Sequence, residues 1–471
     1  MGGFARTSPS YETGYAYDAQ MGKNVRRGLE LVARSPKAKG YAYSNKPDLK
    51  AHAAVTRQSA LEGMVLLENK GALPLKNVKN VAVFGCTSFD FIAGGTGSGN
   101  VNRAYTVSLL DGLKNAGFNV DESNKEATLK HIADEAAAYK ASLPDDGLSA
   151  FYPTPRPSEL VPSTRELNAS AKANDVAIIT FGRNSGEFFD RTSADFVLSK
   201  EERKLLDSVT RAFHARRKKV IVVLNIGGVI ETASWKNVPD AVLLAWQAGQ
   251  EGGNSVTDIL TGAKSPSGKL PMTFPVNLMD HASSANFPID ADTGVYFTNR
   301  REDVGQKDVD VTKYEEGIYV GYRWFDKQKL PVSYPFGYGL SYTTFEYSAP
   351  AVANDGTTVT AKVTVKNTGA VAGKEAVQLY VSAPAGTLDK PVQELKAYGK
   401  TKELAPGESQ ELTLTFPTSE LASFDEEASA WKVDAGTYTF LFGASSRDIR
   451  CTATAEAAAA ETPAHRVLLM K

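Results

Sequence analysis

An α/β layered sandwich with a mostly parallel sheet, followed by an antiparallel β-sandwich, is the fold class this sequence predicts. Two observations carry it. The apolar runs 81–85, 176–181, 220–224 and 241–245 show no polar alternation, and stretches of helical period lie between them. From about residue 346 the hydrophobic period becomes two. Runs without alternation suit parallel strands buried on both faces. Their alternation with helices marks a layered α/β domain. About seven short alternating strands in about 100 residues mark a β-sandwich.

Taken in order, residues 1–20 are polar and show no period, and no apolar stretch there reads as a signal peptide. Met21, Val25, Leu29 and Val32 predict a helix over 20–35, closed by Pro36. A polar link, 37–50, leads to a second predicted helix, 49–69, with Ala54, Leu61 and Val65 on one face. Further helices are predicted at 107–117, 124–142, 199–215 and 252–262. Ser199 and Glu202 form a capping box ahead of Leu205, Val209 and Phe213. Residues 286–345, rich in Tyr, Phe, Gly and Asp, read as an irregular connector. In the sandwich, Val359, Ala361, Val363 and Val365 alternate with polar residues, as do Val377, Leu379 and Val381. Leu412, Leu414 and Phe416 repeat the pattern, and so do Tyr438, Phe440 and Phe442. The Ala/Glu-rich end, 456–471, reads as a frayed tail.

Composition excludes several function classes. The 471 residues leave room for about three domains. Lys and Arg number 53 against 54 Asp and Glu, a net charge of −1, so there is no basic field for nucleic acid. The longest apolar run, 220–230, is broken by Asn225, Gly227 and Gly228 and makes no membrane span. Cys86 and Cys451 form no CxxC pair, and the five histidines show no zinc-ligand spacing. Neither a metal nor an organic cofactor is implied.

Two loops are candidates for chemistry. Gly94-Gly95-Thr96-Gly97-Ser98-Gly99-Asn100 comes after the first parallel strand, and loops at that edge are where α/β sheets place ligands. A nucleotide site does not fit, because the glycines fall as GxGxG and no P-loop Lys is present. The loop is either a solvent turn or, with Asn102 and Arg103 behind it, a contact for polyol hydroxyls. Gly182-Arg183-Asn184-Ser185-Gly186-Glu187-Phe188-Phe189-Asp190-Arg191 continues from the strand 176–181 and puts Glu187 on the same edge. Beside Phe188 and Phe189, desolvation would raise the Glu187 pKa and suit it to general-acid work. The alternative is a structural ion pair of Glu187 with Arg183 or Arg191. Asp190-Arg191 reads as a structural pair, and Lys130-His131 and the acidic run 425–427 as solvated surface. Ser98 and Ser185 sit in no GxSxG elbow, which argues against a serine hydrolase.

Several strings together resemble the carboxy-terminal half of family 3 glycoside hydrolases, the β-glucosidase and β-xylosidase family. Glu62-Gly63-Met64-Val65-Leu66-Leu67-Glu68-Asn69 through Leu73-Pro74-Leu75 looks like the entry to that family's second domain. Trp246-Gln247-Ala248-Gly249-Gln250-Glu251-Gly252-Gly253 is similar to its sheet-edge signature. Ser265-Pro266-Ser267-Gly268-Lys269-Leu270-Pro271 comes next, and Tyr334-Pro335-Phe336-Gly337-Tyr338-Gly339-Leu340-Ser341-Tyr342 resembles the lead into a fibronectin-III-like β-sandwich. The match covers roughly residues 20–450.

The resemblance implies a retaining glycosidase acting on terminal, non-reducing β-D-glucosides, with β-xylosides as the alternative and oligo- or aryl-β-glucosides as partners. Retention uses two carboxylates about 5–5.5 Å apart. Ser185-Gly186-Glu187 looks like the family's acid/base segment, with Glu187 as general acid/base. Ser98, Gly97 and Arg103 are carried over as substrate contacts. Phe188 departs from the family, where a glycine is common. The family's nucleophile is an Asp followed by Trp on a (β/α)8 barrel. Here Trp235, Trp246, Trp324 and Trp431 come after Ser, Ala, Arg and Ala, so no Asp-Trp occurs. The expected organisation is therefore a barrel remnant and linker helix (1–50), the α/β domain (51–285), the connector (286–345), the fibronectin-III-like sandwich (346–455) and the tail (456–471). A barrel supplied by a longer chain would complete the site, and the 471 residues alone would have little or no turnover. A non-catalytic carbohydrate-binding or assembly module is the reading from another class. Localisation stays open between periplasm and cytoplasm, with any signal peptide upstream of Met1.

Overall fold

The computed structural model describes residues 15–144, 154–187, 191–285, 314–348 and 350–464. Residues up to His52 form a unit of their own. It holds helix α1 (Tyr15–Arg34), whose end at Arg34 agrees with the stop signal at Pro36. Helix α2 (Leu49–Gly63) leads into the second unit.

The predicted helix 49–69 is cut short. It ends at Gly63, and β1 (Val65–Asn69) begins at once. The reason lies in the pairing: Val65 and Leu66 sit opposite Leu244 and Leu243, and Val65, Leu66 and Leu67 are fully buried. Burial in a sheet overrides the helical spacing of the segment. The α/β layers continue with β2 (Asn80–Phe84), α3 (Leu109–Asn115), β3 (Asn119–Asp121), α4 (Lys125–Ser142), α5 (Thr164–Ala173) and β4 (Val176–Arg183). After these come α6 (Ser193–Phe196), α7 (Lys200–His214), β5 (Lys219–Ile226), β6 (Ala241–Leu244) and α8 (Gly252–Thr261).

The sheet order is β1-β6-β5-β4-β2-β3. All neighbours are parallel except β1 against β6. The strands β4 and β6 are buried along their whole length, which is why they carry no polar alternation. One face packs on Leu167 and Ala171 of α5 and on Leu205, Leu206, Val209 and Phe213 of α7. The other packs on Leu109, Leu110 and Leu113 of α3 and Val256, Ile259 and Leu260 of α8. Ser199 and Ser163 cap α7 and α5 with full capping boxes. The second box, Ser163 with Glu166, was the readable signal for α5, which hydrophobic period alone does not show.

Residues 286–313 of the expected connector lie outside the described residues. Its remaining part, 314–345, is largely irregular chain with one short helix and one short strand. After β7 (Phe274–Pro275) and α9 (Tyr322–Lys327), β8 (Val332–Tyr334) pairs with β7. The Tyr334 hydroxyl donates to Glu68 at 3.0 Å, Tyr338 to the Leu67 carbonyl at 3.1 Å, and Tyr342 to the Ile259 carbonyl at 2.8 Å. Residues 334–342 thus belong to the α/β layers. Each ring packs on the core while its hydroxyl satisfies an oxygen acceptor, so no period is required.

The β-sandwich runs from β9 (Phe345–Tyr347) through β10 (Ala351–Asn354), β11 (Thr358–Asn367), β12 (Ala376–Ser382), β13 (Glu394–Lys400) and β14 (Ser409–Pro417). It continues with β15 (Ser423–Asp425), β16 (Ala430–Val433), β17 (Gly436–Ser445), β18 (Asp448–Ala457) and β19 (Ala460–Pro463). Sheets β10-β11-β14, with β9 on β11, and β13-β12-β17-β18 enclose the core. That core is built from the alternating residues, Val359 to Val365, Val377 to Val381, Leu412 to Phe416 and Tyr438 to Phe442. The tail reading is corrected. β18 runs to Ala457, and β19 pairs with β16 over Ala460–Pro463. Backbone pairing holds this segment, and its alanines give little hydrophobic signal. Residues 465–471 lie outside the described set. Among the described residues no helix is long and apolar enough to cross a membrane.

Candidate active site

The carboxyl edge of the parallel sheet assembles the two candidate loops. Behind β2, the loop 94–100 is pinned at its base by Asn225. The Asn225 side chain accepts from the Ile92 N–H at 2.7 Å and donates to the carbonyls of Ile92 and Trp246 at 2.9 and 2.8 Å. The Gly249 N–H donates to the Ala93 carbonyl at 2.9 Å. Asn225 is the polar residue that interrupts the apolar run of β5. A polar side chain inside an otherwise unbroken apolar run is the sequence signal for such a loop anchor.

The second loop leaves β4 at Arg183, which is fully buried. Its guanidinium donates to both carboxylate oxygens of Glu202, at 2.6 and 3.0 Å. It also donates to the carbonyls of Asp195 and Val197, at 2.8 and 2.9 Å. Arg156 joins the same Glu202 carboxylate. Arg191 pairs with Asp195 and donates to the Val229 carbonyl at 2.8 Å. Both arginines are therefore committed elsewhere, and the alternative in which Glu187 pairs with either one falls away. Phe188, Phe189 and Asp190 lie outside the described residues.

Glu187 meets the glycine loop instead. The Ser98 hydroxyl donates to Oε1 of Glu187, and the Ser98 N–H donates to Oε2 at 3.1 Å. The Thr96 N–H donates to the Ser185 carbonyl at 2.9 Å, and the Thr96 hydroxyl to the Glu187 carbonyl at 3.0 Å. Thr96 and Gly186 form an isolated parallel bridge. Gly97 lies at φ +64°, and a Cβ there would overlap the Glu187 side chain. The two candidate loops thus form one unit around one carboxylate. Of the carried-over residues, Ser98 and Gly97 are brought to Glu187. Arg103 is exposed, donates to Asn100 at 3.5 Å within its own loop, and acts electrostatically on Asp90, partly offsetting the burial that raises that carboxyl. Thr96 was not singled out from sequence; it is one residue of a string read for its glycines.

The electrostatics correct one expectation. Glu187 is exposed, and its pKa lies below the ordinary carboxylate value, first because of the Ser98 hydroxyl and then the Ser98 N–H. Hydrogen bonds to the charged form outweigh desolvation here. The resting group is a carboxylate, not the neutral acid that burial would have made. The raised carboxyls are others: burial raises Asp90, and it pushes Glu159 up to about 7. Among the described residues no cluster of His, Cys, Asp and Glu could hold a metal.

A layered α/β sheet that holds an exposed carboxylate in a glycine-loop clamp, followed by an antiparallel β-sandwich, is the class of protein that the fold and site define. Comparison with known proteins narrows it. Residues 64–342 match the glycosyl hydrolase family 3 C-terminal domain, and residues 375–446 match the fibronectin type III-like domain. The chain belongs to glycoside hydrolase family 3. It is 36% identical to Beta-glucosidase A of Butyrivibrio fibrisolvens over 85% of this chain and 50% of that protein. It is 38% identical to a beta-glucosidase of Ruminococcus albus, over 83% of this chain and 39% of that one. An exo-alpha-(1->6)-L-arabinopyranosidase of Bifidobacterium breve is 31% identical over 93% of this chain and 53% of that protein. Among solved structures, beta-glucosidase 3B of Thermotoga neapolitana in complex with glucose superimposes with a TM-score of 0.82 at 42% identity. That match covers 93% of this chain and 58% of that chain. The chain spans about half the length, or less, of the curated relatives in these comparisons.

Proposed function

We propose that this chain provides the acid/base part of a retaining β-glycosidase acting on terminal β-D-glucosides, with Glu187 as the acid/base group. The observation that carries the reading is the exposed Glu187 carboxylate, held by Ser98 at the carboxyl edge of the sheet. In the first half-reaction the protonated Glu187 gives its proton to the glycosidic oxygen as the bond to C1 breaks and a nucleophilic carboxylate bonds to C1. In the second, the Glu187 carboxylate takes a proton from the water that attacks C1, and the nucleophile leaves. The lowered pKa of Glu187 favours its carboxylate form, which the second step needs. For the first step Glu187 must be reprotonated, which a loosened Ser98 bond favours. Ser98, Gly97 and Arg103 remain proposed sugar contacts.

The nucleophile is proposed to come from a (β/α)8 barrel outside these 471 residues, since no Asp-Trp occurs in them. The chain alone is then expected to show no aryl-β-glucoside turnover, and a barrel supplied in cis or as a second chain restores it. The deciding experiment is Glu187→Gln in the barrel-containing enzyme. kcat/KM, which reports the first half-reaction, should fall by about 10²–10⁴-fold on aryl glucosides with poor leaving groups and far less on activated ones, where the slowed second half-reaction limits kcat instead. A uniform loss across leaving groups, or none, removes Glu187 from the role. Glucoside against xyloside is settled by comparing kcat/KM for the paired aryl glycosides.

A further inference from the structure

We infer that Thr96 is the positioning residue of Glu187 and acts through the backbone of Gly186, without touching the carboxyl group. For its effect on turnover this rests on the proposed role of Glu187; for the placement of the side chain it rests on geometry alone.

Thr96 holds the chain on both sides of Gly186. Its N–H donates to the carbonyl of Ser185 at 2.9 Å, and its hydroxyl donates to the carbonyl of Glu187 at 3.0 Å. Thr96 and Gly186 form a bridge between the loops. Gly186 sits at φ +140°, and a Cβ there would lie 2.6 Å from the Thr96 nitrogen and hydroxyl and 2.7 Å from its carbonyl oxygen. Glycine adopts that conformation, but it adopts many others at similar cost. Some partner must select one, and Thr96 is bonded to the carbonyls of both neighbouring residues, Ser185 and Glu187.

The selection matters because little else fixes Glu187. The side chain is exposed, so packing does not set its direction. Its described side-chain bonds are the two from Ser98, two residues beyond Thr96 in the same loop. If the Gly186 peptide turns, the carboxylate leaves the reach of Ser98. A displacement of about 1 Å in such a group costs on the order of 10²-fold in rate.

The test uses the 471-residue chain with carboxyl-¹³C glutamate, the Glu187 signal being assigned by its loss in Glu187→Gln. Thr96→Val keeps the shape and the N–H but removes the hydroxyl. Its Glu187 titration midpoint should rise by about half a pH unit or more as the Ser98 bonds loosen. Thr96→Ser should restore the wild-type midpoint. Gly186→Ala, which pushes the loops apart from the other side, should raise the midpoint in the same way and serves if Thr96→Val does not fold. An unchanged midpoint in either folded variant overturns the inference. In the barrel-containing enzyme Thr96→Val should lower kcat with KM little changed. Full activity of Glu187→Gln would overturn the functional reading and leave the titration result standing, so the two failures are distinguishable.

Discussion

The Ser98 hydroxyl donates to the carboxylate of Glu187 across two loops that are 89 residues apart in the chain. The bond turns two separate strings, one read for its glycines and one for its acid, into a single site. It also sets the protonation state: a carboxylate that accepts a hydroxyl and an amide is stabilised in its charged form. The group proposed to act first as an acid therefore rests as a base. Reprotonation is coupled to whatever takes the Ser98 hydroxyl away, and a sugar hydroxyl is the chemically natural competitor.

Ser98→Ala removes the larger of the two causes that hold Glu187 low. Its midpoint should move up, yet stay below an ordinary glutamate because the residue-98 N–H remains. A carboxyl whose folded pKa is depressed adds stability above its unfolded value, and that gain is lost as pH falls through the folded value. Urea unfolding at about pH 6 should show Ser98→Ala weaker than wild type, and the two should converge as pH falls below the ordinary glutamate range and through the folded value. A gap that persists there would mean that Ser98 stabilises by packing.

Gly97→Ala tests the clamp from the loop side. The residue has φ +64°, and its new methyl would overlap the Glu187 side chain. The backbone strain costs about 1 kcal/mol. The exposed Glu187 side chain is free to swing away. The expected result is a folded, slightly weakened protein in which Glu187 titrates near an ordinary glutamate. A depressed midpoint in this variant would show that the clamp tolerates a side chain at 97.

Much of this architecture was legible in the sequence, and the misses share a cause. Strands buried on both faces announce themselves as unbroken apolar runs, as in Val176–Arg183. The sandwich strands announce themselves by alternation. What could not be read was decided by contacts far away in the chain. Val65–Asn69 keeps helical spacing but is recruited by β6. Tyr334, Tyr338 and Tyr342 show no period because each is placed by a hydroxyl reaching a specific partner. Glu187 stands out in the sequence by its place just after the strand 176–181, and the resemblance adds its proposed role. Its environment was not legible, since Phe188 and Phe189 suggested desolvation while Ser98 supplies hydrogen bonds.

Where the Glu187 loop leaves β4, Arg183 and Glu202 are both fully buried and bonded to each other. Removing a sole partner from such a pair costs about 3–5 kcal/mol; without Arg183 the buried Glu202 keeps Arg156, but the carbonyls of Asp195 and Val197 lose their donor as well. Arg183→Leu should therefore lower the denaturation midpoint strongly. Arg183→Leu combined with Glu202→Leu should recover part of the loss, but not all, because Arg156 then loses its carboxylate. A double variant as weak as the single one would place the cost in the carbonyls of Asp195 and Val197 instead.

Glu62, at the end of α2, joins the α/β layers to the sandwich through Lys374 and Lys400. Burial pushes its carboxyl up, but the two ammonium groups outweigh this and bring it down to about 2. The clamp is thus intact above the ordinary glutamate range and is lost as pH falls towards about 2. Because the three side chains are partly solvated, its net worth is about 1 kcal/mol. Glu62→Gln should lower the melting temperature by a few degrees or less at about pH 6, and high salt should shrink the difference. A difference insensitive to salt would assign the effect to packing.

Glu159 behaves in the opposite sense. It is 4% exposed, and burial raises it to about 7 although it accepts the Cys86 N–H at 2.8 Å. A glutamate whose folded pKa exceeds its unfolded one binds more protons when folded. Stability is then greatest at acid pH and falls as pH rises from the ordinary glutamate range through about 7. The fall amounts to about 3 kcal/mol if the full shift is realised. Glu159→Gln keeps an acceptor for the Cys86 N–H and removes the charge. Between about pH 5 and pH 8 its stability should be nearly level while that of the wild type declines, so the two curves cross or separate with pH. Parallel curves over that interval would show that Glu159 stays ionised in the folded chain, with Arg156 as its counter-charge.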